Sequence, residues 1–388
     1  MANEIQPEPL SPWQLPTGNA IVKVRAINTT TDMQLASIGF FEPVIPGLET
    51  FSLTTLAFLL EHPNSGKKIL FDAGSRKDFW NFPPVVYGLL LEAAVGLKVE
   101  KNVSEILEEK GIDLRQINAV VWSHWHWDHS GDMSQFPAST EVVVGPGFKE
   151  SFMPGYPTNP KAMMLDSDFE GREVREISFS DDHIGPYESY DFWGDGSLFL
   201  LNVPGHAVGH IGALARTTPD TWVFLGGDVC HFNGVFRPSI YQPMPAEIPE
   251  EALVNSPFIP PCPCSVFTSI HPDPEHARTK PFHSIATGKI APTITADPAT
   301  AQLSVQKMLE YDAHPNIFVC ISHDRALIDE LPLFNDSPES DINDWKEAGY
   351  KTNTFWRFLG YLPKDGKQTR PHLVTGVWRE GKLVDVPS

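Results

Sequence analysis

Short apolar runs recur along the chain, each closed by glycine, proline, histidine or aspartate. IVKVRAI (21–27), SLTTLAFLL (52–60) and KKILFDAG (67–74) are rich in branched or aromatic residues and bounded by turn formers, which predicts strands. INAVVWSH (117–124), TEVVVGP (140–146), SLFLLNVPGH (197–206), TWVFLGGD (221–228) and NIFVCISHD (316–324) predict further buried strands. At least four of these deliver His or Asp at their C-terminal ends, where side chains are held more firmly than on free loops. Residues 78–110 read as mostly helical, with Asn102 as an N-cap and Gly111 beyond the end. Asp297 before Pro298 starts a helix expected to run through about Tyr311.

No short fixed period repeats. Residues 1–19 read as an N-terminal arm and 20–388 as one domain. Within it, 235–295 is proline-rich, aromatic and irregular, which predicts an insertion covering a pocket.

Composition narrows the classes. With 41% hydrophobic and 20% charged residues, the 388-residue chain suits a globular protein with a sizeable core. Its formal charge of −20 disfavours nucleic acid and anionic membrane surfaces as partners. LTTLAFLLEH (53–62) and VVYGLLLEAAVGL (85–97) are too short to span a bilayer. The polar, proline-rich start lacks the basic and apolar regions of a signal peptide, so a cytoplasmic location is expected. Four cysteines make no disulfide framework. Cys262 and Cys264 read as reduced thiols, and Cys230 and Cys320 as small apolar strand residues.

SHWHWDHSGD (123–132) places three histidines and two aspartates within one short stretch at a strand end. Such polar surface cannot be buried unpaired. Alternate residues of an extended segment share a face, so His124 and His126 can serve one ion, and Asp128 and His129 a second. Imidazole and carboxylate suit Zn2+ first, with manganese, iron or cobalt possible.

That HxHxDH pattern resembles the signature of the metallo-β-lactamase superfamily, and later blocks follow in order. LFDAG (70–74) resembles the strand end before the histidine loop, and PGHAVGH (204–210) the block of the next ligand. GGD (226–228) resembles the block of the bridging aspartate, and SHD (322–324) that of the last histidine. The resemblance covers roughly 20–385. It implies an α/β fold: an αββα sandwich of two mixed β-sheets flanked by helices, with two divalent metal ions at one edge. It further implies that His124, His126 and His206 hold the first metal, Asp128, His129 and His323 the second, and that Asp228 bridges them. Asp72 would orient a ligand, and His210 would have a structural or orienting role.

GGD supplies a bridging carboxylate, which fits the lactonase, glyoxalase and phosphodiesterase branches. The basic substrate-reading residues of the glyoxalase branch are absent, and the acidic charge disfavours the nuclease branch. FDAGSRKDFW, FWGDGSLFLLNVPGH and GGDVCHFNGVFRPS are most similar to quorum-quenching lactonase-like enzymes, especially a fungal group that opens lactones and lactams. The implied activity is hydrolysis of a cyclic amide or ester of a small xenobiotic or signalling molecule, such as a benzoxazolinone-type lactam. A metal-bound hydroxide would attack, with Asp128 handling the proton.

Bacterial homoserine-lactone lactonases carry tyrosine three residues after the bridging aspartate, whereas this chain has His231, an imidazole able to polarise a carbonyl or protonate a leaving group. Thioesterase, N-acyl homoserine lactone lactonase and iron oxidoreductase activities are the alternatives on this fold. A small-molecule substrate and a monomer or homodimer are expected. Trp125 and Trp127 read as packing under the metal loop. Phe79, Trp80, Trp193, Phe232, Phe236 and Tyr241 are candidates to line the pocket, although each alone reads as core.

Overall fold

A computed structural model describes residues 3–384. Residues 1–2 and 385–388, the outermost parts of the expected arm and domain, lie outside the described residues. The chain runs through β1 (Lys23–Ala36), the short β2 (Phe41–Glu42), β3 (Thr50–Glu61) and β4 (Lys68–Phe71). After the helix Pro84–Ala93 come β5 (Ala94–Val99), β6 (Ile117–Val121), β7 (Glu141–Val144) and β8 (Val174–Glu176). β9 (His183–Ile184), β10 (Tyr187–Asp191), β11 (Leu198–Asn202), β12 (Ile211–Arg216) and β13 (Trp222–Leu225) follow. A long irregular stretch holds only the two-residue strands β14 (Glu247–Ile248), β15 (Cys262–Pro263) and β16 (Ser284–Ile285), besides short helical turns. Beyond it lie the helix Pro298–Ala313, β17 (Ile317–Cys320), β18 (Gly376–Arg379) and β19 (Lys382–Val384).

Two sheets result. One has the order β19-β18-β5-β1-β3-β4-β6-β7-β8, the other β17-β13-β12-β11-β10-β9. The stretch from β4 through β8 in the first sheet and the β13–β17 pair in the second are parallel, so both sheets are mixed.

Strand alternation decides which layer each side chain joins. Val24, Ala26, Phe58, Leu60, Ile69, Phe71 and Val121 face Leu200, Ala213, Val223, Leu225 and Phe318 across the sandwich. Their neighbours Leu59, Leu70, Val120 and Val142 point outward onto Val103, Ile106 and Leu107. On the far side, Leu214, Phe224 and Val319 pack with Val305, Met308 and Tyr311 of the helix Pro298–Ala313. Helix, sheet, sheet and helix thus stack as the αββα sandwich.

The strand pattern agrees with the sequence closely, but 78–110 does not. It holds two α-helices, Pro84–Ala93 and Val103–Glu109, with β5 between them. β5 pairs with β1 on one side and β18 on the other, and that pairing overrides the helical tendency of its alanine and leucine neighbours. All four cysteines are buried and free. Among the described residues, no helix is long and apolar enough to cross a membrane.

Candidate metal centre

The C-terminal ends of β4, β6, β11, β13 and β17 meet at one edge of the sandwich. β6 leads into Ser123–His126 and a one-turn helix, Trp127–Ser130, which turns Asp128 and His129 inward. β11 leads to His206 and His210, β13 to Asp228, and β17 to His323. Gly227 has φ +53°, and a Cβ there would lie 2.8 Å from Ser123 Cβ. Glycine therefore lets the β13 loop lie against the β6 loop.

Asp228 stands between two groups of imidazoles. Its Oδ2 is 3.6 Å from Nε2 of both His124 and His206, while its Oδ1 is 3.2 Å from Nε2 of both His129 and His323. Asp128 Oδ2 lies 3.6 Å from the same His129 and His323 nitrogens and accepts from Thr55 Oγ1 at 3.2 Å. Ligand-type atoms of His124, His126, His206 and Asp228 lie within 4.8 Å of one another, as do those of Asp128, His129 and His323. His231 joins Asp228 and His323 in a third such group.

Acceptors behind the rings set their tautomers. His129 Nδ1 donates to Asp72 Oδ2 at 2.8 Å, and His323 Nδ1 to the Thr54 carbonyl at 2.9 Å. Ser123 Oγ donates to Asp72 Oδ2, so it accepts from His124 Nδ1 at 2.9 Å. In the neutral ring each arrangement leaves the Nε2 lone pair aimed into the cluster. His210 differs. Its Nδ1 donates to the Val203 carbonyl at 2.7 Å and its Nε2 accepts the Asp228 amide at 3.0 Å, so it braces the backbone of Asp228.

The residues fit a pair of cations. His206 Nε2 lies 3.2 Å from His124 Nε2 and 3.0 Å from His126 Nδ1, a convergence of ring nitrogens with no protein cation among them. His129 Nε2 and Asp228 Oδ1 are buried without a hydrogen-bond partner. Burial and neighbouring imidazoles hold His124 and His206 well below the ordinary histidine range, and burial lowers His126 to about 4. These three are therefore neutral, the form that binds metal. Burial also opposes charge on His129 and His323, but Asp228 and Asp128 outweigh it and raise both. Burial would push Asp228 upward, yet His129, His323 and His231 hold it well below the carboxylate range. The donor set suits zinc first.

A cavity of about 620 Å³ opens onto Asp128, Asp228, His126, His231 and His323. Met33, Leu35, Leu53, Val86, Leu90 and Leu97 give it a mainly apolar wall. Of 235–295, only Ala291–Ile294 line it; β1, β5 and the helix Pro84–Ala93 supply much of the rest. Reading 78–110 as helix concealed this wall, although exposed Leu89 and Val95 beside buried Leu90 and Leu97 signal a face not wholly consumed by core. Trp125 and Trp127 line the cavity while packing on Phe152 and Phe82. None of Phe79, Trp80, Trp193, Phe232, Phe236 and Tyr241 lines it. Phe79 and Phe236 are core, Trp193 packs on His62, and Phe232 faces a separate cavity. His231 Nε2 is 3.0 Å from Asp228 Oδ2 without the alignment of a hydrogen bond, and both its nitrogens lack partners. Ser123 and the Thr54 carbonyl escaped the sequence reading; SHWHWDH contains the first, but nothing in a residue type flags a carbonyl.

Comparison with known proteins agrees with this geometry. A family model described as metallo-beta-lactamase superfamily matches residues 52–226. Gamma-lactamase FDB1 of Fusarium pseudograminearum is 40% identical over 367 residues, covering 91% of this chain and 86% of that protein. Metallo-hydrolase mfmC of Annulohypoxylon moriforme is 39% identical, covering 92% of each chain. A structure of a B. thuringiensis AiiA variant with N-decanoyl-L-homoserine bound at its active site has the same fold, with a TM-score of 0.54 at 17% identity. That alignment covers 81% of this chain and 98% of the other.

Proposed function

Because the chain belongs to the metallo-beta-lactamase superfamily, we propose that it is a dinuclear metal-dependent hydrolase opening a cyclic amide or ester of a small molecule. It is a metallo-hydrolase of the lactamase and lactonase type, in keeping with its gamma-lactamase and metallo-hydrolase relatives. The observation that supports a dinuclear site is the place of Asp228 between the two groups: Oδ1 lies 3.2 Å from Nε2 of His129 and His323, and Oδ2 lies 3.6 Å from Nε2 of His124 and His206 and 3.3 Å from that of His323. On this reading His124, His126 and His206 hold one ion, Asp128, His129 and His323 the other, and Asp228 spans both. Zn2+ is the proposed metal. When bound, such ions act as Lewis acids and bring the pKa of water to near neutral.

The chain's own groups position and move protons around that chemistry. Asp72, Ser123 and the Thr54 carbonyl fix the rings of His129, His124 and His323. Thr55 orients Asp128, which accepts the proton released from the attacking water and holds it inside the cavity. His231, 4% exposed and edge-on to Phe40, polarises the carbonyl or protonates the leaving nitrogen or oxygen. The aliphatic wall binds the apolar body of the substrate and excludes water. A benzoxazolinone-type lactam is one such substrate.

Ring-opening of a γ-lactone, a benzoxazolinone and an acyl thioester tests the reading. Asp228→Ala should lower turnover about 100-fold or more. Near wild-type turnover with both metals bound would overturn the bridging role. His231→Ala should cut ring-opening sharply with metal content unchanged; an unaffected variant would return His231 to a structural role. Thioester cleavage without ring-opening would overturn the substrate class.

A further inference from the structure

A second cavity, of about 400 Å³, lies beyond His231 and His323, which line it and the larger cavity alike. The two chambers have opposite character. Apart from histidines, the charged residues lining the larger one are Glu92, Asp128 and Asp228, all acidic. Arg325, Arg370, His372, Tyr361 and Gln368 line the second, together with one acid, Asp324. Asp324 already accepts from Asn233 Nδ2 and the Ala326 amide.

The two arginines share one acid at long range, and Arg370 is short of partners. Asp329 lies 4.0 Å from Arg325 and 3.9 Å from Arg370, beyond hydrogen-bond reach, and does not line the cavity. Arg370 is held by the Val254 carbonyl at 3.0 Å and lies 4.2 Å over the Tyr361 ring. Its Nε and the Tyr361 hydroxyl are buried without any partner. Buried donors without partners are unfavourable unless a ligand completes them. A carboxylate brings both the charge and the acceptors.

We propose that the second chamber is a carboxylate site that receives the acid formed by ring-opening. This rests on the hydrolytic reading above. In that reaction water oxygen bonds to the carbonyl carbon and the ring C–O or C–N bond breaks. One hydrogen of water passes to the leaving oxygen or nitrogen, and the new acid ionises by releasing the other to solvent. No oxidant or further reactant is needed. With the metals in place the anion forms against them, so turnover requires it to leave the centre, and an adjoining site that pairs its charge offers it a destination. The arginines lie across the His231–His323 wall, in the adjoining chamber. A carboxylate already carried by the substrate would use the same groups, and the arms of the test separate the two sources.

Calorimetry would compare hexanoate with neutral hexanamide on metal-loaded wild type, Arg370→Gln, Arg325→Gln and Arg370→Lys. Hexanoate should bind about tenfold more weakly to either glutamine variant, hexanamide should not change, and Arg370→Lys, which keeps the charge but lacks Nε and the planar fork, should recover only part of the affinity. Metal content and unfolding midpoint serve as controls, and Arg325→Gln carries the test if Arg370→Gln does not fold. Equal hexanoate affinity in wild type and the glutamine variants would overturn the site, because the metals alone would then hold the carboxylate. In turnover, γ-hexalactone should show weaker product inhibition in the variants with KM unmoved. A rise only in KM for a carboxylate-bearing lactone would overturn the product role. Absence of hydrolysis with every lactone and lactam would overturn the functional reading instead, leaving the binding arm to judge the site.

Discussion

Asp72 occupies the left-handed region at φ +60°, where few side chains other than asparagine and aspartate rest easily. Its carboxylate accepts from the Ser123 amide at 2.7 Å, from Ser123 Oγ and from His129 Nδ1. Burial raises its pKa although His129 pulls the other way. Asp72→Asn keeps the backbone conformation but loses the charge behind His129. Metal affinity should fall about 10- to 100-fold, read by competition with a chelator. Unchanged affinity would reduce Asp72 to a backbone brace. LFDAG made this residue legible, whereas its neighbour Ser123 looked like any strand-end serine. Asp168 shows how a buried acid can set pH dependence elsewhere. Burial lifts it to about 7, with Asp132 adding to the rise and Arg76 and Arg172 opposing it. A pKa raised on folding contributes stability in full below the unfolded value, and that contribution is lost as pH climbs through the folded one. From about pH 4 to 7 the wild type should therefore lose stability that Asp168→Asn does not. Thermal unfolding at pH 5 and 8 checks this: the variant should gain on the wild type at pH 8.

Elements press on the site through glycines. Gly205 has φ +119°, and a Cβ there would lie 2.0 Å from the Ala301 amide nitrogen in the helix Pro298–Ala313. The Ala296 amide also donates to the His206 carbonyl, so this helix start and the His206 loop are one unit. Gly205→Ala should cost about 3 kcal/mol or more in denaturant unfolding and displace His206, so that one metal is lost first. Full metal loading with unaltered stability would show that the contact yields. The helix itself was legible from Asp297 and Pro298, because capping is local chemistry. β5 was not. Gly96 sits where a Cβ would meet the Val374 carbonyl at 2.3 Å, so its strand depends on a segment far along the chain. Local pattern carries no record of such a partner.

Across the whole molecule, no single sheet owns the metal centre. His124, His126, Asp128 and His129 follow β6 of the larger sheet, while His206, Asp228 and His323 follow strands of the smaller one. Chelation should therefore loosen the docking of the two sheets as well as abolish activity. Elemental analysis should find about two metal equivalents. Each ion present at 1,000 times its Kd should add about 4 kcal/mol to unfolding, lost on chelation and restored by zinc. An unfolding midpoint insensitive to chelation would contradict this linkage. The sandwich was legible through the ordered motif blocks, which carry a family resemblance. Strand lengths and alternation alone gave elements without their partners, since β1 pairs with β3 and β5 by long-range contacts. The split of the ligands also orders events at the ribosome. His124 through His129 emerge first and form a loop of four donors with no opposing wall. His206 and Asp228 follow, and His323 comes only after the long irregular stretch and the helix Pro298–Ala313 have been made. On the proposed ligand set, a nascent chain would hold an ion only loosely until His323 had been made, and tight metal retention would mark a chain translated past that point.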